Sequence, residues 1–307
     1  MKAKTIKETN GRRQFLLNFS TFVGTSSLLM LPGLSVAEQL FRNRKDYTVK
    51  EIIDRILKEI PGAPFKQTVD TLKTGNPNQV VSGIVTTTFA TIEVIEKTIK
   101  AGANFIIAHE PTFYNHLDET AWLEQNEVFE YKNELLKKHN IAVWRFHDYW
   151  HANNPDGILN GFLQSMAWEK LYDPNHPNVI TLSPAPLTQI IDRIKAKLSI
   201  PHVRVIGDRS QACSRIAFSL GSAGGRSQIS LIQKTKPDVL VCGEVQEWET
   251  SEFVRDARLA GKDLSLIVLG HAVSEEEGMK ELVRWLQPKI PDIKIMHIPA
   301  KNPFSWD

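Results

Sequence analysis

The chain has 307 residues, of which 42% are hydrophobic and 23% are charged, and this ordinary globular composition excludes an intrinsically disordered protein. Its length allows one large domain or two modest ones. Residues 1–37 carry a net charge of +4, so the net charge of +2 for the whole chain becomes −2 for the remainder. The excess of basic residues thus lies in this first segment, and the rest of the chain gives no support to nucleic-acid binding.

The first 37 residues have the features of an export signal. Arg12-Arg13 precede a mildly apolar stretch over 15–34, and small residues at 35–37 offer a cleavage site. The paired arginines followed by Phe-Leu resemble a twin-arginine signal, which predicts export to the periplasm. Polar residues interrupt the apolar stretch, so we expect no stable membrane insertion after signal removal. The alternatives are a membrane anchor and a disordered basic leader.

Strand-like and helix-like segments alternate along the remaining chain, which predicts an α/β fold. We expect two α/β domains with mixed, mostly parallel sheets flanked by helices. The first would comprise residues 46–172 plus 264–307 and the second residues 178–263, with a turn-rich break between them.

In chain order, the predicted elements are a helix over 48–60, a strand over 80–86, a helix over 89–101, a strand over 104–108, a helix over 128–139, a strand over 141–146, helices over 157–168 and 187–198, strands over 203–207 and 215–220, a helix to about residue 234, a strand over 239–242, a helix over 247–260, a strand over 264–269, a helix over 274–286 and a strand over 293–298.

Imidazole and carboxylate groups directly follow two successive buried-type strands. The first strand ends in His109-Glu110, and the second ends in His147-Asp148, with His151 a few residues further on. In open α/β sheets, ligands bind at the C-terminal ends of the strands. Nitrogen and oxygen ligands without cysteine suit Zn, Mn or Fe. The pattern therefore predicts a metal site at this edge of a sheet.

A third cluster follows the strand predicted over 264–269. Gly270-His271 ends that strand, and Glu275 lies in the first turn of a helix that we expect to start at Ser274, with Glu277 completing a capping box. The glycine would let the chain pass close to the ions. The three clusters offer more ligands than one tetrahedral ion needs, which predicts two metals. The candidate residues are His109, Glu110, His147, Asp148, His151, His271 and Glu275.

Other residues flank the predicted ligands. Tyr114, Tyr149 and Trp150 either stack on a planar substrate or pack as aromatic side chains around the site. Glu244, after the strand over 239–242, either lines the pocket or begins a solvated helix. The remaining histidines are expected on the surface or in the core, and His116 is the one that shares a loop with a predicted ligand.

Two further features have a structural and a functional interpretation. The glycine-rich segment 221–225 opens a helix, and its N–H groups either bind an anion or only form a tight turn; the lack of a P-loop lysine favours the turn. Cys213 and Cys242 either pair in an oxidising compartment or remain buried thiols, and the second interpretation is favoured. Their spacing fits no metal site.

The motifs and their order resemble those of the Nif-three-like dinuclear metal-centre family, which is often labelled GTP cyclohydrolase 1 type 2-like. The resemblance rests on residues 101–111 (AGANFIIAHEP), on 239–244 (VLVCGE) and on Gly270-His271 with Glu275. It spans roughly residues 46–300. It implies two α/β domains, a bimetallic site and a toroidal homohexamer.

The resemblance implies His109, Glu110, His271 and Glu275 as metal ligands, with His151 from the second motif. This chain departs from the usual family pattern at two positions. Glu110 occupies the place of the second histidine in a His-His pair, and His151 occupies the place of an Asp at the end of the second motif. The number of ligands and their formal charge stay about the same, which implies a shifted metal preference rather than lost binding. The neighbours His147 and Asp148 are either alternative ligands or outer partners of the ligands.

Together, the resemblance and the ligand set predict a metal-dependent hydrolase that uses a metal-bridged water. The family label suggests a ring-opening cyclohydrolase acting on a nucleotide-like compound. The alternative is a non-enzymatic metal-binding or metal-handling protein that assembles as a ring. On either hypothesis we expect two divalent ions (Zn, Mn or Fe) and a homo-oligomer, and for the enzyme an unidentified small-molecule substrate. No nucleic-acid partner is expected.

Overall fold

The computed structural model describes residues 45–306, and the predicted export signal lies outside them. Within this part of the chain, no helix is long and apolar enough to cross a membrane. Its strands are β1 (Leu72–Thr74), β2 (Ile84–Thr87), β3 (Phe105–Ala108), β4 (Ala142–Arg145), β5 (Val179–Pro186), β6 (Arg204–Ile206), β7 (Ala212–Ser219), β8 (Val239–Cys242), β9 (Ser265–Val268) and β10 (Ile295–His297). Its α-helices are α1 (Val49–Leu57), α2 (Ile92–Lys100), α3 (Glu127–Lys138), α4 (Asp148–Ala152), α5 (Gly157–Met166), α6 (Leu187–Leu198), α7 (Gly225–Thr235), α8 (Glu252–Leu259) and α9 (His271–Leu286).

The first sheet has the strand order β1-β4-β3-β2-β10. All neighbouring strands are parallel except β1, which pairs antiparallel with β4. Residues of α1 and α9 pack on one face, and residues of α2 and α3 pack on the other. Because both faces are covered, β2, β3 and β4 are buried along their whole length, which explains their continuous apolar runs.

The second sheet has the order β5-β7-β8-β9-β6. Its three central strands are parallel, and the edge strands β5 and β6 are antiparallel to their neighbours. Helices α5 and α6 cover one face, and α7 and α8 cover the other. Two mixed, mostly parallel sheets flanked by helices confirm the predicted fold class. Cys213 and Cys242 belong to the cores on opposite faces of this sheet and are both free thiols.

The predicted domain boundaries misplace one strand. They assign residues from 264 onward to the first domain, but β9 pairs with β8 and β6 in the second sheet. The chain returns to the first sheet only after β9, where α9 packs on β2 through a hydrogen bond from Thr86 Oγ1 to Met279 O of 2.8 Å. The division of the chain into domains otherwise stays a prediction.

Helix α9 begins at His271, three residues before its predicted start. Gly270 precedes it with a φ of 97°, a conformation that favours glycine, whereas a Cβ atom there would make only an ordinary contact with Val273 Cγ2 at 3.9 Å. The predicted capping box is wrong, because Ser274 Oγ donates to His271 O at 2.7 Å and accepts from Gly221 N at 2.9 Å. The additional turn puts His271 and Glu275 on one face of the helix.

Helices α5 and α9 cross at two glycines, with their backbones in direct contact. A Cβ atom on Gly161 would lie 2.4 Å from Glu277 O and 2.6 Å from the Cα of Gly278. A Cβ atom on Gly278 would lie 2.5 Å from the Cα of Ile158. Neither position has room for a methyl group unless the helices move apart.

We expect Gly161→Ala to lower the free energy of unfolding by about 1–3 kcal/mol, because the added methyl group overpacks the crossing. In an exposed helix the same change stabilises by about 1 kcal/mol, so the sign of the effect is diagnostic. Urea unfolding followed by circular dichroism measures it. A stabilised variant would contradict the close crossing.

Candidate metal centre

The parallel pairing of β3 with β4 brings the first two motifs together. Ala108 pairs with Arg145, so the chain leaves both strands at the same level. Phe146 N then donates to Ala108 O at 2.8 Å, and Phe146 O lies 3.1 Å from His109 Nδ1. The residues that follow the two strands are therefore neighbours in space.

Three imidazole rings meet at this edge. The rings of His109 and His147 stack with their centroids 4.7 Å apart. His151, which lies on the short helix α4, has its centroid 4.9 Å from that of His109 and 4.8 Å from that of His147. The first two predicted clusters thus form one group of side chains.

Helix α9 supplies the other side of the group. His271 Nε2 lies 3.4 Å from Glu110 Oε1 and 3.1 Å from Glu275 Oε2, and His109 Nε2 lies 3.7 Å from Glu275 Oε1. Gly221 admits this carboxylate, since a Cβ atom there would lie 2.0 Å from Glu275 Oε1. In the glycine-rich segment 221–225, the N–H of Gly221 bonds to a serine and that of Gly225 donates to Glu249, which supports a structural turn.

The structure brings together all five predicted ligands and His147. Two groups could each hold a metal ion, and the ligand atoms within each group lie within 4.8 Å of one another. The first group is His109, His147 and His151, and the second is His109, Glu110 and Glu275.

Buried atoms at the centre fit a metal. Among the described residues, His109 Nε2, His271 Nε2 and Glu275 Oε2 are buried without a hydrogen-bond partner. His271 Nε2 and Glu275 Oε2 approach each other, but without the alignment of a hydrogen bond. Because buried polar atoms are normally paired, such a cluster of nitrogen and oxygen donors is suited to a divalent cation.

Each imidazole is held from behind through its Nδ1 atom. The Nδ1 partners are Phe146 O for His109 at 3.1 Å, Asp148 Oδ1 for His147 at 2.9 Å, Asp156 Oδ2 for His151 at 2.7 Å, and Glu244 Oε1 for His271 at 2.7 Å. An Nδ1–H bonded to oxygen fixes the tautomer that leaves Nε2 free to bind a metal. Asp148, which also accepts from Thr68 Oγ1 at 2.8 Å, belongs to neither candidate metal group, and its position favours the outer-partner interpretation.

The predicted pocket residues have different roles. Tyr149 and Trp150 are only 3% and 1% exposed and pack in the core, so the stacking interpretation is wrong for both. Tyr114 is 52% exposed and lines the cavity beside the centre, as do Glu244 and His116. Glu244 therefore lines the pocket and also orients His271.

The cavity beside the centre measures about 1430 Å³. Its wall includes aromatic and cationic side chains in addition to the ligands. These are Phe89, Tyr114, Lys132, Arg204, Lys301, Phe304 and Trp306. Lys132 is buried in this wall, where its Nζ donates to Thr112 O at 2.5 Å and burial lowers its pKa to about 8. A cavity of this composition suits a substrate with a planar part and an anionic part.

Sequence reasoning missed three residues that shape the centre. Asp70 is buried and accepts from His147 N and Tyr149 N, each at 2.8 Å, and burial raises its pKa to about 6 despite these bonds. Asp156 holds His151. Arg145 is fully buried beside Glu110, and a charged residue at the end of an apolar strand is the signal that could have revealed it.

The protein groups alone distribute charge unevenly at the centre. Burial, together with His151 and His147, holds the pKa of His109 well below its ordinary value. Burial opposes charge on His271 as well, but the nearby carboxylates of Glu110 and Glu275 and the hydrogen bond to Glu244 raise its pKa to about 12. Burial acts likewise on His151, and its bond to Asp156 raises its pKa to about 9. The protonated rings of His151 and His271 thus balance the negative charge of the neighbouring carboxylates, which a metal ion would otherwise balance.

Comparisons with known proteins agree with this architecture. Residues 47–303 match the family model described as Duf34/NIF3 (NGG1p interacting factor 3). A GTP cyclohydrolase 1 type 2 homolog from Chlamydia pneumoniae is 23% identical over 241 residues, which cover 76% of this chain and 90% of the relative. The homolog from Escherichia coli (strain K12) is 23% identical over 225 residues, which cover 73% and 87%.

Solved structures share the fold at low sequence identity. A Bacillus cereus protein related to NIF3 has a TM-score of 0.70 at 16% identity, and the match covers 86% of this chain and 100% of that one. Staphylococcus aureus protein SA1388 has a TM-score of 0.66 at 20% identity, and the match covers 85% and 99%.

We expect Asp156→Asn to weaken metal binding about 10–100-fold with little effect on folding. Asp156 Oδ1 caps α5 by accepting from Ile158 N and Leu159 N, and asparagine keeps this acceptor. The amide nitrogen that replaces Oδ2 cannot accept from His151 Nδ1–H, so the imidazole loses the bond that orients it. Competition with a chelating dye measures the affinity.

The matched control is Asp173→Asn. Asp173 Oδ2 lies 2.9 Å from His176 Nδ1 in an exposed pair of the same kind, away from the centre. We expect this variant to bind metal as the wild type does. Equal losses in both variants would contradict a specific role for Asp156.

We also expect metal uptake at pH 7 to release protons, about one each from His151 and His271. Their pKa values of about 9 and about 12 leave both imidazoles protonated at pH 7, and a metal ligand must be deprotonated. Apparent affinity should therefore rise with pH between about 6 and 8. Calorimetry in buffers of different ionisation enthalpy counts the protons, and uptake without proton release would contradict this charge state.

Proposed function

Because the chain belongs to the Duf34/NIF3 family, we propose that it is a metal-dependent hydrolase with a dinuclear centre. The observation that supports this most strongly is the convergence of buried Nε2 and carboxylate atoms that lack protein partners. Six side chains converge, which is more than one tetrahedral ion needs. They are His109, Glu110, His147, His151, His271 and Glu275.

Divalent ions at such a site would lower the pKa of a water molecule and polarise the bond to be cleaved. The chain's own residues fix the ligands from behind and exclude water on the buried side, where His109 and Glu275 have almost no exposed surface. His116 lines the cavity with its ring 6.1 Å from that of His147. This position suits exchange of a proton between the His116 imidazole and a bound substrate.

We propose an anionic, partly planar substrate for this site. The cationic side chains of Lys132, Arg204 and Lys301 and the rings of Phe89 and Tyr114 all line the cavity. The relatives from Chlamydia pneumoniae and Escherichia coli are named as GTP cyclohydrolase 1 type 2 homologs. Both observations support ring-opening hydrolysis of a nucleotide-like compound.

Two expectations remain predictions from the sequence. A ring-shaped homohexamer rests on the family resemblance, and export to the periplasm rests on the paired arginines in residues 1–37. The metal-handling alternative requires the same ligands but no turnover, so the activity of the metal-loaded protein separates it from the hydrolase.

We expect the protein loaded in turn with Zn, Mn or Fe to hydrolyse at least one compound in a panel of GTP, other nucleotides, phosphate esters and carboxylic esters. His109→Ala should reduce that turnover to background, because it removes a ligand common to both candidate metal groups. His139→Ala is the control, since His139 is exposed at the end of α3 and should leave turnover unchanged. Tight metal binding without turnover on any compound would contradict the hydrolase and favour metal handling.

A further inference from the structure

Arg145 is a fully buried cation beside the metal centre. It ends β4 and has 0% exposure. Its Nε donates to His109 O at 3.3 Å, its Nη1 donates to His116 O, and its Nη2 lies 3.5 Å from Glu110 Oε2. The guanidinium therefore contacts two main-chain carbonyl groups of the loop that follows β3 and also the carboxylate of a predicted ligand.

The surrounding charges identify Glu110 as the partner of Arg145. Asp118 Oδ2 lies 3.9 Å from Arg145 Nη1 but only 3.2 Å from Lys73 Nζ, and the Lys73 and Asp118 side chains are both buried. With Asp118 matched by Lys73, the remaining pair is Arg145 with Glu110. Such matching is needed because an unpaired charge in the interior is costly.

The two oxygens of Glu110 have different surroundings. Oε2 faces Arg145, whereas Oε1 lies 3.4 Å from His271 Nε2 and 3.6 Å from His147 Nε2. Only Oε1 is directed toward the cluster of imidazoles. The carboxylate therefore presents one oxygen to the centre and keeps the other for the guanidinium.

We propose that Arg145 is a positioning residue that makes Glu110 a single-oxygen, charge-compensated metal ligand. The inference rests on the metal centre of the proposed function, but not on hydrolysis. A carboxylate paired with a guanidinium offers one donor atom and no net charge, as a neutral imidazole does. A histidine at position 110 should therefore support tight zinc binding only when the charge of Arg145 is removed as well.

The test is a double-mutant cycle on zinc affinity, with Zn²⁺ as the only added ligand. It compares the full-length wild type, R145M, E110H and E110H/R145M. In the wild-type background we expect R145M to weaken zinc binding about tenfold or more, because Glu110 loses the partner that orients it. In the E110H background we expect R145M to strengthen binding about tenfold, because it removes an unpaired cation beside the ions. The opposite signs distinguish positioning of Glu110 from a merely structural role.

R145M leaves the carbonyl groups of His109 and His116 without their donor, so folding of each variant is checked by circular dichroism. R145Q is the second variant, since its amide group is uncharged but still donates hydrogen bonds. R215M is the matched control: it removes a partly buried arginine of the second sheet that donates to the carbonyl of Thr235, outside this network, and should change zinc affinity equally in both backgrounds.

Equal effects of R145M, or of R145Q where R145M does not fold, in the two backgrounds would overturn the proposal. Zinc affinity of E110H equal to that of the wild type would overturn it too. A wild-type protein that binds no zinc would overturn the metal centre itself and this inference with it. The expected sign reversal in a protein that hydrolyses no substrate would sustain the inference while the hydrolase fails.

Discussion

The register of β3 against β4 is the constraint on which the centre depends. Because Ala108 pairs with Arg145, His109 and Phe146 leave the sheet side by side, and the carbonyl of Phe146 meets the Nδ1 of His109. A slip of one residue would turn the side chains of one strand to the opposite face of the sheet. His109 would then face away from His147, and Arg145 would lose both Glu110 and the carbonyl groups that it bonds. The apolar side chains of both strands fix this register by their burial, so the core of the first sheet also determines the geometry of the ligands.

The second constraint is the position of α9, which links the two sheets. Its first residue follows β9 in the second sheet, whereas Met279, Leu282 and Leu286 lie in the core of the first sheet. Since His271 and Glu275 occupy the first two turns of this helix, packing on both sides limits their movement relative to the strand-end histidines. Ligands on such rigid elements need little rearrangement to bind an ion. The close crossing of α5 and α9 at Gly161 and Gly278 also limits the movement of α9, because the two backbones are in direct contact.

The sequence predicted the fold class and the converging ligands because both depend on local patterns. Apolar runs mark the strands, and polar residues at their ends mark the edge of the sheet. The sheet to which β9 belongs was not predictable from the run itself, which is apolar whichever sheet it joins. Gly270 starts α9 through its backbone conformation and without a side-chain cap, so the usual capping signal was misleading. Asp70 accepts a hydrogen bond from the main chain of His147, which is 77 positions away. No sequence spacing predicts that two segments so far apart along the chain lie together. Tyr149 and Trp150 failed as pocket residues because α4 directs them to the core while His151 faces the centre.

The carboxylate oxygens that accept from the Nδ1 atoms of His151 and His271 can hold these rings in the same positions whether or not an ion is bound. The hydrogen bond from Nδ1–H to Asp156 or Glu244 exists for the neutral ring and for the protonated ring alike. Only the proton on Nε2 differs between these states, so exchange of that proton for a metal leaves the outer bonds of His151 and His271 intact. Burial raises the pKa of Glu275, and positive charge on its neighbours opposes this effect, whether the charge resides on imidazolium or on a metal. The folded chain therefore holds the candidate ligands in place without a metal, and protons supply the positive charge that a bound ion would provide on the proposed function.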